Sequence, residues 1–199
     1  MKYQSEIIGE TILRYCRTYV RSPVLDIGCG NGFLTGLLRR FGFTAVGIDP
    51  NPPSRELKGH AQKLPFLDGS MNTIFCIDIL EHLTQEELLL ALAEAYRVLG
   101  VGGIFIINTP NSENLCDSYV ECPACGKIFH PIGHKQSINY YQLSQNLSKA
   151  GFDIIETKTL SWNFKRIYPV LSWIYYHIPI VRAGMLHKDL FVIARKGQK

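Results

Sequence analysis

The stretch VLDIGCGNG, Val24 to Gly32, decides how the rest of the chain is read. An apolar strand, Val24 to Ile27, runs directly into a turn with glycine at every second position and an acid, Asp26, at its edge. Gly28, Gly30 and Gly32 lack the Cβ atoms that would obstruct a tight turn and hold a ligand away from the backbone. The following FLTGLLRR, Phe33 to Arg40, reads as the helix that this turn opens, so its free N–H groups face whatever sits in the turn. A glycine pattern alone is weak. It gains weight from Asp49, which ends the apolar run Thr44 to Ile48 about 20 residues after the first glycine, where a carboxylate can accept both hydroxyls of a ribose.

A nicotinamide dinucleotide and S-adenosylmethionine both suit a unit of strand, glycine turn, helix, strand and acid. The order here is D-x-G-x-G-x-G rather than G-x-G-x-x-G. A carboxylate at Asp26 would repel a pyrophosphate, whereas it suits a ligand carrying an ammonium and a sulfonium. The chain at this point resembles the class I S-adenosylmethionine-dependent methyltransferases, in particular the small type 11 group that includes quinone-pathway enzymes. The resemblance rests on VLDIGCGNG, AVGIDP (Ala45 to Pro50), AQKLPF (Ala61 to Phe66), DILEHL (Asp78 to Leu83) and RVLGVGG (Arg97 to Gly103), in that order, and covers roughly residues 20 to 110 well.

The resemblance implies that Asp26 and the backbone at Gly28, Cys29 and Gly30 hold the methionine part of the cofactor, and that Asp49 holds the ribose. It also implies that the strand end near Ile77 and Asp78 closes over the methionine. Two departures mark the adenine side. Where relatives often carry an acid before the alanine of a GDA-like segment, this chain has His60 before Ala61; a neutral imidazole nitrogen can still accept the adenine amino group. The run from Asp49 to His60 is also too short for a helix and a full strand.

With 199 residues, 46% hydrophobic and 19% charged, the chain can bury one sizeable core and reads as a single domain over residues 1–199. A net charge of +4 with scattered basic residues does not favour a nucleic-acid partner. The N-terminal residues do not read as a charged leader followed by an apolar core, so a cytoplasmic location is expected and the six cysteines read as thiols or metal ligands before disulfides.

A helix is predicted at Ser5 to Tyr19, and short strands at Val24–Ile27, Thr44–Ile48, Thr73–Ile77, Ile104–Asn108, Asp153–Thr159 and Leu190–Ala194. Thr84 to Glu87 forms a capping box that starts a Leu/Ala-rich helix; Gln136 to Ala150 reads as another helix, stopped by Gly151. This alternation predicts an α/β fold, a doubly wound, Rossmann-like, mostly parallel sheet of the seven-stranded type, with its ligand at the carboxyl ends of the strands.

A second constellation is CPACGKIFHPIGH, Cys122 to His134. Cys122 and Cys125 make a CxxC turn and His130 and His134 follow at H-x3-H spacing, so two thiolates and two imidazoles could complete a tetrahedral zinc site, with Cys116 as a substitute ligand. Free thiols beside incidental histidines, or a disulfide, are the alternatives. Residues 111–135 would then be a zinc-stapled insert beside the cofactor, too small for a core of its own.

His82, next to Glu81 after the fourth strand, is the candidate general base, against a plain helix-cap role for the pair. The resemblance adds a variant in which Asp78, Glu81 and His82 hold a divalent cation, as an E-x-x-E-H pattern is thought to do in related quinone and small-RNA methyltransferases. The uncharged run Ile167 to Val181, within an apolar insert at 161–186, is too short to span a membrane. It suits a bilayer surface, a lipophilic acceptor tunnel, packing on the sheet or a homodimer contact.

The expected function is methyl transfer from S-adenosylmethionine to a small, apolar or ring-bearing acceptor. The competing reading is a non-catalytic, cofactor-binding module that docks a partner through the Cys/His loop. A nicotinamide oxidoreductase is a distant third.

Overall fold

The structure is a computed structural model, and residues 4–160 and 189–197 are described. The chain begins with helix α1 (Gln4–Cys16) and strand β1 (Val24–Ile27), followed by α2 (Phe33–Arg40), β2 (Ala45–Asp49), a two-residue β3 (Leu57–Lys58) and β4 (Met71–Ile77). Then come α3 (Gln85–Val98), β5 (Leu99–Pro110), a small hairpin of β6 (Val120–Glu121) and β7 (Ile128–Phe129), α4 (Tyr140–Ala150), β8 (Phe152–Leu160) and β9 (Asp189–Lys196). Among the described residues seven strands form one sheet in the order β3-β2-β1-β4-β5-β9-β8. The first five lie parallel, while β9 runs antiparallel to both β5 and β8. The doubly wound expectation stands, with β9 as its antiparallel member.

The strands read as almost continuously apolar because both faces of the sheet are covered. Successive side chains point to opposite faces. Val24, Phe75, Ile106 and Phe191 pack with Ile12 and Leu13 of α1 and Leu34 and Leu38 of α2. Leu25, Ile74, Phe105 and Val192 pack with Leu88, Leu92 and Ala95 of α3 and Leu143 and Leu147 of α4.

Helix α3 starts where the capping box was expected: Thr84 Oγ1 accepts from the Glu87 N–H and the Glu87 carboxylate accepts from the Thr84 N–H. Helix α4 starts at Tyr140, four residues later than the sequence suggests. Lys135 and Gln136 donate their N–H groups to the Glu81 carbonyl and the Gln136 amide donates to the carbonyls of Leu80 and Leu83, so this stretch is held as a strap and Asn139 becomes the cap. Among the described residues no helix is long and apolar enough to cross a membrane. The apolar run 167–181 lies outside the described residues.

Candidate functional site

The β1–α2 turn is held against β2 by backbone bonds, as the Gly28 and Cys29 N–H groups both donate to the Ile48 carbonyl. Gly28 has φ +72°, and a Cβ there would come within 2.0 Å of Ile79 Cδ1, so the turn requires glycine on two counts. Gly30, at φ +52°, differs: a Cβ on it would project into open space. That space belongs to a cavity of about 300 Å³ lined by Glu6 and Gly9 of α1, Asp26, the 28–31 turn, Phe33 and Leu34 of α2, and Ile77 at the end of β4.

Asp26 is buried at the floor, where Thr35 Oγ1 donates to it at 2.6 Å. Burial pushes its carboxyl up to about 7, and the neighbouring Glu56 and Asp49 add to the rise. A buried acid among other acids suits a ligand that brings positive charge. Asp49 accepts from the Gly30 N–H at 3.1 Å and from the Asn51 N–H at 2.8 Å, which aims its carboxylate across the mouth of the glycine turn. Ala61 is buried, whereas His60 is exposed and its carbonyl accepts from the Lys63 N–H.

Glu6 and Asn31 were not legible as site residues. Asn31 Nδ2 donates to Glu6 Oε1 at 2.9 Å, joining α1 to the rim of the cavity. Glu56 was missed too: it takes a two-pronged bond from Arg39 at 2.6 and 2.9 Å and accepts from the Gly47 N–H at 2.7 Å, bracing β2 behind the turn. An acidic first turn in α1 was the one available signal for Glu6.

The second constellation gathers around Glu81. Asp78, at φ +55°, directly follows β4; its N–H donates to the Asn108 carbonyl and its Oδ1 accepts from Asn108 Nδ2 at 2.8 Å. Burial raises the carboxyls of Asp78 to about 6, Asp189 to about 7 and Glu81 to about 8. Glu81 also accepts from Thr109 Oγ1 at 2.9 Å. His82 Nδ1 lies 3.3 Å from the Gly133 carbonyl, its ring meets that of His134 edge-on at 4.9 Å, and burial holds its imidazole below the ordinary value.

Within the 111–135 insert, the four residues read as one zinc set are divided. The ladder pairs Val120 with Phe129 and Glu121 with Ile128, and the Cys122 N–H donates to the Lys127 carbonyl. Cys122 and Cys125 therefore occupy the tip of the hairpin, while His130 lies past its open end, about 10 Å away at ~3.3 Å per residue. At the tip, the N–H groups of Ala124 and Cys125 hold the Cys122 thiol below its ordinary value. Cys116 is exposed. His130 and His134 instead turn inward, are buried, and flank Glu113. Among the described residues two groups bring their potential ligand atoms within 4.8 Å of one another inside each group: Glu81, His82 and His134, and Glu113, His130 and His134. Asp78, expected beside Glu81 and His82 in a cation set, is in neither group.

Residues 25–107, the sheet half that builds the cavity, match the family described as a methyltransferase domain. Over that segment the chain is similar to a methyltransferase domain. Over 163 residues, 76% of the chain and 59% of the relative, it is 26% identical to a probable S-adenosylmethionine-dependent methyltransferase of Mycolicibacterium smegmatis. The chain is also similar to the mitochondrial ubiquinone biosynthesis O-methyltransferase of Rattus norvegicus, with 31% identity over 49% of this chain and 32% of that one. The chain thus spans less than two thirds of the length of these relatives. Among solved structures, a SAM-dependent methyltransferase from Archaeoglobus fulgidus shares the fold with a TM-score of 0.70 over 96% of this chain and 95% of that one, at 20% identity.

Proposed function

We propose that the protein is an S-adenosylmethionine-dependent methyltransferase acting on a small, ring-bearing or apolar acceptor. The observation that carries this reading is the glycine turn, which lines a cavity floored by the buried Asp26 and donates its Gly30 N–H to Asp49. The residues suit the cofactor: a carboxylate for its ammonium, glycine backbone along its length, and a second carboxylate for its ribose. Bound S-adenosylmethionine would supply a methyl group on a sulfonium, so that the acceptor's lone pair forms the new bond to carbon while the C–S pair returns to sulfur.

What the chain must add is alignment, exclusion of water and removal of the acceptor's proton. His82 is the candidate for the last task. Its Nδ1 faces a carbonyl and so carries the proton, which leaves Nε2 with a free lone pair. The grouping with Glu81 and His134 favours an alternative use of the same lone pair, in which the three would hold a divalent cation that would acidify an acceptor hydroxyl. This set replaces the tetrahedral Cys/His zinc site as the metal reading. The rat relative's name, a ubiquinone biosynthesis O-methyltransferase, supports a ring hydroxyl as the acceptor class.

Calorimetric titration with S-adenosylhomocysteine tests the cofactor reading. Wild type is expected to bind at micromolar concentration and Asp49→Ala to lose on the order of tenfold or more, the worth of a charged hydrogen bond. A folded wild type that binds neither this product nor S-adenosylmethionine would hand the lead to a docking module.

A further inference from the structure

The insert between β5 and α4 places three imidazoles and two carboxylates together, and their hydrogen bonds assign the ring protons. His134 Nδ1 sits 2.5 Å from Glu113 Oε2. A carboxylate accepts, so Nδ1 carries the proton and Nε2 keeps its lone pair. His82 is arranged alike, with Nδ1 toward the Gly133 carbonyl at 3.3 Å. His130 is the opposite case: its Nδ1 accepts the His134 N–H at 3.2 Å, so its proton sits on Nε2, which faces Glu113 Oε1 at 3.6 Å. That Nε2 is the buried side-chain nitrogen left without a hydrogen-bond partner among the described residues. Its ring stacks on His134 with centroids 4.5 Å apart and planes 14° from parallel.

A nitrogen that ligates a metal must present a lone pair, and the other ring nitrogen must then be N–H. His134 and His82 meet that condition and share a group with Glu81; His130 does not meet it, because its Nδ1 is already an acceptor. Of the two groups of donors, the protonation pattern therefore selects Glu81, His82 and His134 and casts Glu113 and His130 as their support.

We infer that Glu113 is a positioning residue, which locks His134 in the Nδ1–H form so that its Nε2 lone pair points at the place shared by Glu81 and His82, with the stacked His130 fixing the plane of the ring. This rests on the cation reading above. It gives the 111–135 insert a defined part: a carboxylate and two imidazoles from the insert set the geometry of a centre whose other two ligands, Glu81 and His82, belong to the β4–α3 turn. Removing the carboxylate frees the ring to exchange tautomers or rotate, which weakens metal affinity by on the order of tenfold to a hundredfold, the usual loss when an outer partner of a histidine ligand is removed.

Two measurements on the full chain test this, with Glu113→Gln as the variant and Glu113→Asp as the conservative control. Long-range proton–nitrogen spectra of the metal-free protein report each ring's tautomer, and calorimetric titration with Zn²⁺ and Mn²⁺ reports affinity. The expected result is His134 in the Nδ1–H form in wild type, a mixed or inverted tautomer in Glu113→Gln, a tenfold or larger loss of affinity in that variant, and partial recovery in Glu113→Asp. His134 found in the Nε2–H form in wild type would overturn the inference without any variant needing to fold. Unchanged affinity in Glu113→Gln would overturn Glu113's part while leaving the cation reading intact. A wild type with the expected tautomer that binds neither ion would sink the cation reading, and the positioning role with it.

Discussion

Asp26 shows how one side chain serves the empty and the filled cavity differently. Its carboxyl is raised from 3.8 to about 7, chiefly by burial, so the folded protein holds a proton that the unfolded chain releases near pH 4. The stabilising effect of that protonated form is fully present below pH 4 and is lost as pH rises through about 7. Ligand-free wild type should therefore lose stability between pH 5 and pH 8 relative to Asp26→Asn, by ~3 kcal/mol, because about two pH units separate pH 5 from the folded value of about 7. Urea midpoints at the two pH values measure this; parallel pH profiles for the two proteins would mean that Asp26 is not the group responsible. The ammonium of a bound cofactor offsets the penalty by favouring the charged form. Asp26 and Asp49 were both legible as site residues because each sits at the end of an apolar strand beside glycine. Glu6 and Glu56 were not, since each reaches the site through a contact with another part of the chain, and Asn31, though within the glycine turn itself, has its bond to Glu6 only through the fold.

Elements were read well where their ends carry local signals. The capping box of α3 and the glycine stop of α4 at Gly151, φ +99°, are where the sequence places them. The start of α4 was misplaced because Asn139 and Gln142 also make a capping box, reciprocally bonded, which a reading centred on helical periodicity passed over. Replacing Thr84 by Ala leaves the Glu87 N–H without its partner and should cost about 1 kcal/mol in urea unfolding. Asn139→Ala should cost a similar amount; a negligible effect of both would mean that tertiary packing alone sets these helix starts. The 3₁₀ turn Leu80–His82, between β4 and the α3 cap, is where element structure meets chemistry. Its carbonyls at Leu80 and Glu81 take bonds from Lys135 and Gln136, so a loop far along the chain braces the candidate cation ligands.

At the level of the whole molecule, the excursion from Asn111 to Ile138 is closed at its base, with Asn111 bridging Ile138 and the Ser112 N–H donating to the Ile138 carbonyl. Glu81 and His82 lie on the sheet side of this excursion and His134 lies on the excursion itself, so a cation shared among them would cross-link the two. Cleavage by trypsin at the exposed Lys127 should then be several-fold slower with Mn²⁺ present than with a chelator, because a ligand that binds the closed state suppresses local opening. Equal digestion rates would show that the excursion is ordered without the ion. By itself the sequence determined the glycine turn, the two carboxylates beside it, the alternation of strands and helices, and the doubly covered sheet. All of these rest on interactions within a few residues or on a simple period of buried side chains. The tertiary structure alone decided strand order, the antiparallel β9, the contribution of α1 to the cavity, and which donors meet around Glu81. The spacing of Cys122, Cys125, His130 and His134 matched a tetrahedral site, but a hairpin ladder extends between thiols and imidazoles and carries them apart. His82 and His134, 52 positions apart, meet only because the insert folds back over the end of β4. A local pattern cannot encode such a meeting, since the contact is made by closing a long loop whose ends are brought together by the packed sheet.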